Sequence, residues 1–325
     1  CSRNWEGRIM ERCLYCNKPL EFGEKDFHAK CVRKFFGTPV APILPYTRAD
    51  LSKLAKMQVM SQTALAGVQA KLSMNIEKAV GEASKLTIVG LWGDYILKPQ
   101  SDKYPHLPEN ENVSMALAET MGIATVPNSL IRMKDGELCY ITKRIDRNRK
   151  GEKFDMEDMC QLSSRLTCDK YKGSYERIAK IIDEFSAFPA LDKVDFAEQI
   201  LFSWLIGNSD MHLKNFSLYA PTEGEYRLTP AYDMLNVKLV LPSDDEELAL
   251  QLDGKKKKLK RENFERAFTA FGIPQKAIEN IFKKFAESLP KMLSTLQASH
   301  LPCELQALYT EMILERSKKV LISKE

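Results

Sequence analysis

The stretch LIGNSDMHLKNFSLYAPTEGEYRLTPAYD, Leu205 to Asp233, places an aspartate, a histidine, a lysine and an asparagine within the six positions Asp210 to Asn215. It leaves the apolar run Ile200 to Ile206 through Asn208, Ser209 and Asp210, whose short polar side chains bond nearby backbone and so end helices and open turns. Phe216 to Tyr219 then reads as a short strand, Pro221 to Glu225 as a turn and Tyr226 to Leu228 as the returning strand. The outer ends of a hairpin lie side by side, so Asn215 and Asp233, eighteen positions apart, are expected to converge. An amide oxygen and a carboxylate beside a nucleotide suit magnesium, which takes few protein ligands and completes its shell from phosphates and water.

Asp210 and Asn215 are five positions apart, the spacing of a protein-kinase catalytic loop, in which the aspartate takes a hydroxyl proton and the asparagine holds a cation. Taken singly, each of these residues is an ordinary turn former; the constellation is what points to phosphoryl transfer. His212 and Lys214 alternate with Asp210 and are candidates to orient it or to neutralise phosphate charge.

Upstream the pattern has period two. Leu72, Met74 and Ile76 alternate, then Leu86 and Ile88, then Tyr95 and Leu97, with Gly81 and Gly90 to Gly93 at the turns, which predicts three strands. Lys98 ends the third strand, where a lysine can reach nucleotide phosphates or simply face solvent. Glu111 to Met121 is predicted as an amphipathic helix stopped by Gly122, and it offers both Glu111 and Glu119 as partners for Lys98. A hairpin over Thr125 to Ile145 turns at Lys134, Asp135 and Gly136. Beyond Asp146 the spacing turns helical over Tyr175 to Phe185, Val194 to Ile206, Phe264 to Phe271, Gln275 to Leu289 and Cys303 to Val320. The expectation is an α+β fold with three parts: a Cys/His knuckle and proline-bearing linker over 1–45, a strand-rich N-lobe over 46–145 and a helical C-lobe over 146–325.

Cys13, Cys16, His28 and Cys31 form two short ligand pairs separated by a loop, the pattern of a three-Cys, one-His structural zinc site. A small apolar knuckle with reduced thiols has the same spacing, and the sequence does not choose between the two. With all four positions protein-supplied, the reading is structural zinc rather than catalytic.

Composition excludes several classes. At 325 residues, 44% hydrophobic and 28% charged, the chain is long enough for two lobes and has no apolar run of membrane-spanning length. A net charge of +4 is too small to argue nucleic-acid binding from the whole chain, and the basic run Lys255 to Lys258, Lys260 and Arg261 reads first as a solvated surface. Eight cysteines without the spacing of a disulfide framework suit a reducing cytoplasm.

The segments GVQAKLS (Gly67 to Ser73), YILKPQ (Tyr95 to Gln100), EDMCQL (Glu157 to Leu162), WLIGNSDMHLKNFSL (Trp204 to Leu218) and YRLTPAYDML (Tyr226 to Leu235), in this order, resemble the HipA family of bacterial serine/threonine protein kinases. The resemblance implies a two-lobed, protein-kinase-like fold and an ATP- and magnesium-dependent toxin of a toxin-antitoxin system. Such toxins phosphorylate aminoacyl-tRNA synthetases and are restrained by a DNA-binding antitoxin, so DNA would be reached only indirectly. Carried over by motif, Asp210 is the catalytic base, Asn215 and Asp233 are the magnesium ligands, Lys98 is the phosphate-binding lysine, and Ala66, Gly67, Val68, Gln69 and Lys71 belong to the phosphate loop. HipA proteins carry a longer segment before this loop, and the short knuckle here is closer to the HipT type, in which a separate small protein supplies the missing subdomain. Ala64 and Ala66 stand where these kinases place autophosphorylated serines, which leaves Ser61 or Thr63 as acceptors or no acceptor at all. A reading from another class, a non-catalytic module that presents surfaces to partner proteins and DNA, is opposed by the intact Asp210, Asn215 and Asp233.

Overall fold

The computed structural model describes residues 11–61, 70–78, 83–90, 93–148 and 151–321. Its contacts divide the chain into two compact units, the first comprising Cys1–Val113, Val126–Ile145 and Gln297–Pro302, the second Ser114–Thr125, Asp146–Leu296 and Cys303–Glu325.

The first unit contains α1 (Ala29–Phe36), α2 (Arg48–Ser61), β1 (Leu72–Glu77), β2 (Lys85–Ile88), β3 (Tyr95–Lys98), the first half of α3 (Leu107–Thr120), β4 (Asn128–Arg132) and β5 (Leu138–Lys143). The strands form an antiparallel five-stranded sheet in the order β2-β1-β3-β5-β4. Alternation puts Leu72 and Met74 of β1 and Leu97 of β3 into the core, as period two requires. Gly93 lies against β1 so closely that a Cβ there would sit 2.6 Å from the Met74 nitrogen, and its N–H donates to Ser73 Oγ at 2.9 Å.

The knuckle shares the core of this sheet: Leu14, Phe27, Val32 and Phe35 pack in one cluster with Leu72, Met74, Leu97 and Leu130. Leu14 O accepts from Leu130 N at 3.0 Å and from Ser129 Oγ at 3.1 Å, so the knuckle caps backbone of the edge strand β4. The stretch expected as a linker also joins the sheet, with Ile43 bridged to Lys85 beside β2.

The second unit begins with the rest of α3, followed by β6 (Met156–Asp158), α4 (Met159–Leu162), α5 (Tyr175–Phe185), α6 (Pro189–Leu205), β7 (Ser217–Tyr219), β8 (Arg227–Leu228), α7 (Val237–Val240), α8 (Arg261–Ala270), α9 (Gln275–Gln297) and α10 (Cys303–Val320). Helices α5 and α10 have the predicted limits. Helix α6 starts earlier than its apolar spacing suggests, because Pro189 suits the first turn and buried Asp192 accepts from Ser186 Oγ and Leu228 N at its N-terminus. Helix α9 continues through Pro290 to bury Met292 and Leu296, one missing N–H costing less than the packing gained.

The basic run is partly neutralised within this unit. Lys256 pairs with Glu246 at 3.3 Å, Lys257 with Asp245, and Arg261 with Glu265 at 2.8 Å, the behaviour of a solvated charged surface. Among the described residues, no helix is long and apolar enough to cross a membrane.

Candidate active site

The loop after α6 is launched by Gly207, whose φ of +76° places it in the left-handed region. Gly207 N donates to Trp204 O at 3.2 Å and Asn208 N to Ser203 O at 2.8 Å, the paired bonds of a glycine-terminated helix. This cap turns the chain sharply and delivers Asp210 half-buried at the loop, its N–H donating to Asn208 Oδ1 at 3.2 Å.

Asn215 folds back onto the same loop. Its Nδ2 donates to Asp210 O at 2.9 Å, which leaves Oδ1 as the atom suited to a cation. Asn215 is 7% exposed and ends a short 3-10 turn, Leu213–Asn215, that leads into β7. Strand β7 pairs with β8 through Leu218 with Leu228 and Tyr219 with Arg227, so the predicted hairpin forms. At its base the Tyr232 hydroxyl lies 3.1 Å from Lys214 O and 2.6 Å from Ser217 Oγ, tying the segment before Asp233 to the segment around Asn215. Asp233 takes φ +56°, a conformation that aspartate tolerates better than most side chains.

His212 is 6% exposed, and its Nδ1 has no hydrogen-bond partner among the described residues. Burial holds the imidazole below its ordinary pKa, against the opposing pull of Asp210 and, more weakly, of Asp233, so a neutral ring lies within the field of both carboxylates. Lys214 instead reaches Asp158 Oδ2 at 2.6 Å, beside β6. Asp158 also caps α4 by accepting from Gln161 N at 3.0 Å, so this lysine braces the Asp210 loop against its neighbour.

Two contributors escaped sequence reasoning. Asp158 had a signal in the Asp158-to-Gln161 capping spacing within EDMCQL. Tyr171 had none: it follows the short 3-10 turn Thr167–Asp169, and its hydroxyl donates to Asp210 Oδ1 at 2.5 Å.

In the first unit, Lys98 Nζ lies 2.5 Å from Glu111 Oε1, with both residues buried, and over the Tyr140 ring at 5.3 Å. Of the two glutamates the sequence offered, the other, Glu119, accepts from Thr125 Oγ1 at 2.9 Å. A buried ammonium held by a helix carboxylate is the arrangement in which kinases keep their phosphate-binding lysine. Of the expected phosphate loop, Ala66, Gly67, Val68 and Gln69 lie outside the described residues, as do Thr63 and Ala64, while Lys71 is exposed just before β1.

The ligand atoms of Cys13, Cys16, His28 and Cys31 all lie within 4.8 Å of one another, near the roughly 3.5–4 Å edge of a tetrahedron with zinc-length bonds. His28 Nδ1 is 3.4 Å from Cys16 Sγ and 3.6 Å from Cys31 Sγ, while Nε2 donates to Pro19 O at 2.8 Å, which fixes the tautomer with Nδ1 as the free lone pair. Burial, then the negative charge of Cys13, pushes the Cys31 thiol up to about 12, a repulsion that a cation among the sulfurs would relieve. The quartet therefore has the donor set and spacing to bind zinc.

The fold that carries these residues, a strand-rich unit and a helical unit, is of the protein-kinase-like class. The HipA-like C-terminal domain model matches residues 63–293, and the chain belongs to that family. It is 28% identical over 245 residues to a Haemophilus influenzae protein whose name proposes a kinase without asserting it, covering 71% of this chain and 68% of that one. It is also 28% identical over 210 residues to the serine/threonine-protein kinase toxin HipA of Shewanella oneidensis, covering 58% of this chain but only 46% of the relative. Among solved structures, HipA in the Shewanella oneidensis complex of HipA, HipB and operator DNA superposes with a TM-score of 0.66 at 20% identity, over 93% of this chain and 80% of that one. The Helicobacter pylori proinflammatory kinase CtkA gives 0.52 at 17% identity, over 77% and 94%.

Proposed function

We propose that this chain is an ATP-dependent serine/threonine protein kinase acting as the toxin of a toxin-antitoxin system, with an aminoacyl-tRNA synthetase as its substrate class. The observation that carries the reading is Asn215 clasped through Nδ2 to the backbone carbonyl of Asp210 at 2.9 Å, just before the β7–β8 hairpin, which ties the loop bearing a half-buried carboxylate to an asparagine whose Oδ1 suits a cation. Asp210 would accept the acceptor hydroxyl's proton as its oxygen attacks the terminal phosphorus of ATP. Lys98, held by Glu111, would contact the nucleotide phosphates. Asn215 and Asp233 would hold a magnesium ion, which when bound would neutralise charge on the phosphates. Neutral His212 can support Asp210 without competing for its proton, and Lys214 with Asp158 would keep the loop in place. The knuckle quartet would hold a structural zinc.

By analogy with the Shewanella complex, the partner would be a DNA-binding antitoxin through which DNA is reached indirectly. The paired Lys256 and Lys257 support that over direct DNA binding. The test is Asp210→Asn in a phosphoryl-transfer assay with labelled ATP, magnesium and purified aminoacyl-tRNA synthetases. Transfer to a synthetase by the unaltered chain and its loss by a factor of a thousand or so in the variant are expected, the scale of removing a catalytic base together with its positioning role. Retained transfer in the variant would mean that Asp210 is not the base.

A further inference from the structure

Resting on the reading of Asp210 as catalytic base, we propose that the Tyr171 phenol fills the acceptor-hydroxyl position on Asp210, so that a substrate serine or threonine reacts only by displacing it. Tyr171 is thus a specificity gate, favouring acceptors whose docking supplies enough binding energy to push the phenol aside.

The geometry is that of a bound acceptor. A general base must lie within about 2.6–3.2 Å of the hydroxyl it deprotonates, and Tyr171 already presents a hydroxyl to Asp210 Oδ1 at 2.5 Å. That length belongs to a charge-assisted O–H···O⁻ bond, stronger than one between neutral groups. Burial, then the bond to Asp210, raises the phenol well above its ordinary range, so Tyr171 is the proton donor of the pair and stays so at neutral pH.

The segment that carries Tyr171 is fastened to the catalytic loop on both sides. Lys170 O accepts from Leu213 N at 3.1 Å, and the Tyr175 hydroxyl donates to Met211 O at 3.0 Å. The Tyr171 ring stands edge-on to His212 with centroids 5.0 Å apart. Anchoring on both sides therefore keeps the phenol beside Asp210, while its 43% exposure leaves the side chain room to swing outward about χ1 without moving the loop.

A tyrosine that merely holds the Asp210 rotamer would have the same hydrogen bond, but the two roles differ in sign. Removing a positioning group lowers kcat, whereas removing an occupant lowers the KM of the competing acceptor. The experiment uses the full chain and Tyr171→Phe, which keeps the ring against His212, with ATP and magnesium and with dephosphorylated casein as the acceptor protein. Hydrolysis of ATP by water is followed in parallel. The expected result for Tyr171→Phe is a kcat/KM for casein raised roughly tenfold, the value of one charge-assisted hydrogen bond. The change should lie in the casein KM with the ATP KM unaltered, water hydrolysis should rise as well, and all of it should vanish when Asp210→Asn is added.

A Tyr171→Phe chain with unchanged casein KM and equal or lower kcat overturns the gate and leaves Asp210 as base. Activity that survives Asp210→Asn instead overturns the base assignment, and the gate with it. A folded chain in which neither variant nor wild type transfers phosphate to casein, to a purified aminoacyl-tRNA synthetase or to water overturns the kinase reading itself.

Discussion

Lys98 Nζ stands 2.5 Å from Glu111 Oε1, with the two side chains 5% and 4% exposed. Removing one member of a buried pair leaves the other charged and desolvated, whereas replacing both by apolar groups of similar size is often close to neutral. Lys98→Ala or Glu111→Ala alone should therefore destabilise the chain by about 3–5 kcal/mol in urea unfolding. The double replacement Lys98→Met with Glu111→Leu should recover most of that loss while ATP binding stays abolished. Recovery of nucleotide affinity together with stability would remove Lys98 from the phosphate site.

The knuckle gives a prediction about metal. Because Leu14 and Phe35 pack in the same cluster as the sheet residues Leu72 and Leu97, loss of a cation among Cys13, Cys16, His28 and Cys31 should loosen the first unit rather than a detached appendage. The purified chain is expected to contain close to one zinc per molecule, and a chelator or Cys16→Ser should lower its melting temperature. Each kcal/mol lost corresponds to about 1.5 °C in a chain of this size. Zinc content well below one per chain, with melting indifferent to chelator, would assign the quartet to reduced thiols alone.

How much of this was legible follows the range of the interactions. Helices α5 and α10 could be bounded from periodicity because their apolar faces repeat in the sequence itself. Helix α1 was hidden, since Cys31, Val32, Phe35 and Phe36 lie in the stretch read only as a Cys/His knuckle and linker. The Asp210-to-Asn215 spacing could be read because the site is local. The choice of Glu111 over Glu119 could not, because both lie on α3 and only the tertiary fold decides which one meets Lys98. Tyr171 and Asp158 meet Asp210 and Lys214 across 39 and 56 positions, and no spacing encodes that.

His212 makes stability depend on pH. Burial lowers its folded pKa below the ordinary 6.5, so on acidification the unfolded chain takes up a proton before the folded chain does. The contribution is therefore complete above that value and declines as pH falls below it, until the native imidazole is protonated too. Asp195 and Glu198, raised by burial, act in the opposite sense and are present in both proteins, so they cancel in the comparison with a His212 variant. Unfolding midpoints measured between about pH 7.5 and 5.5 should fall for the unaltered chain and flatten in His212→Gln, with the difference appearing below roughly pH 6.5. Parallel curves for the two proteins would show that the ring titrates as it does in water.

Gly207 is where the fold constrains the site most tightly. At φ +76° a side chain is strained, and a Cβ there would come 2.8 Å from Met312 Sδ and 3.0 Å from Asn236 Oδ1. The carbonyl of Gly207 also accepts from Val237 N at 3.0 Å, so the residue joins the end of α6 to the start of α7 as well as launching the loop that carries Asp210. Gly207→Ala should cost about 1–3 kcal/mol from backbone strain alone, with some further loss from the contacts. The change should also displace Asp210, whose N–H is bonded to Asn208 Oδ1 directly after the glycine. Phosphoryl transfer is thus expected to fall more steeply than the folded fraction at the assay temperature, with kcat rather than the ATP KM carrying the loss, since a misplacement near 1 Å at the reacting atoms is worth about a hundredfold. A variant destabilised as expected but with wild-type kcat would show that the loop re-forms around the added methyl and that Gly207 serves stability alone.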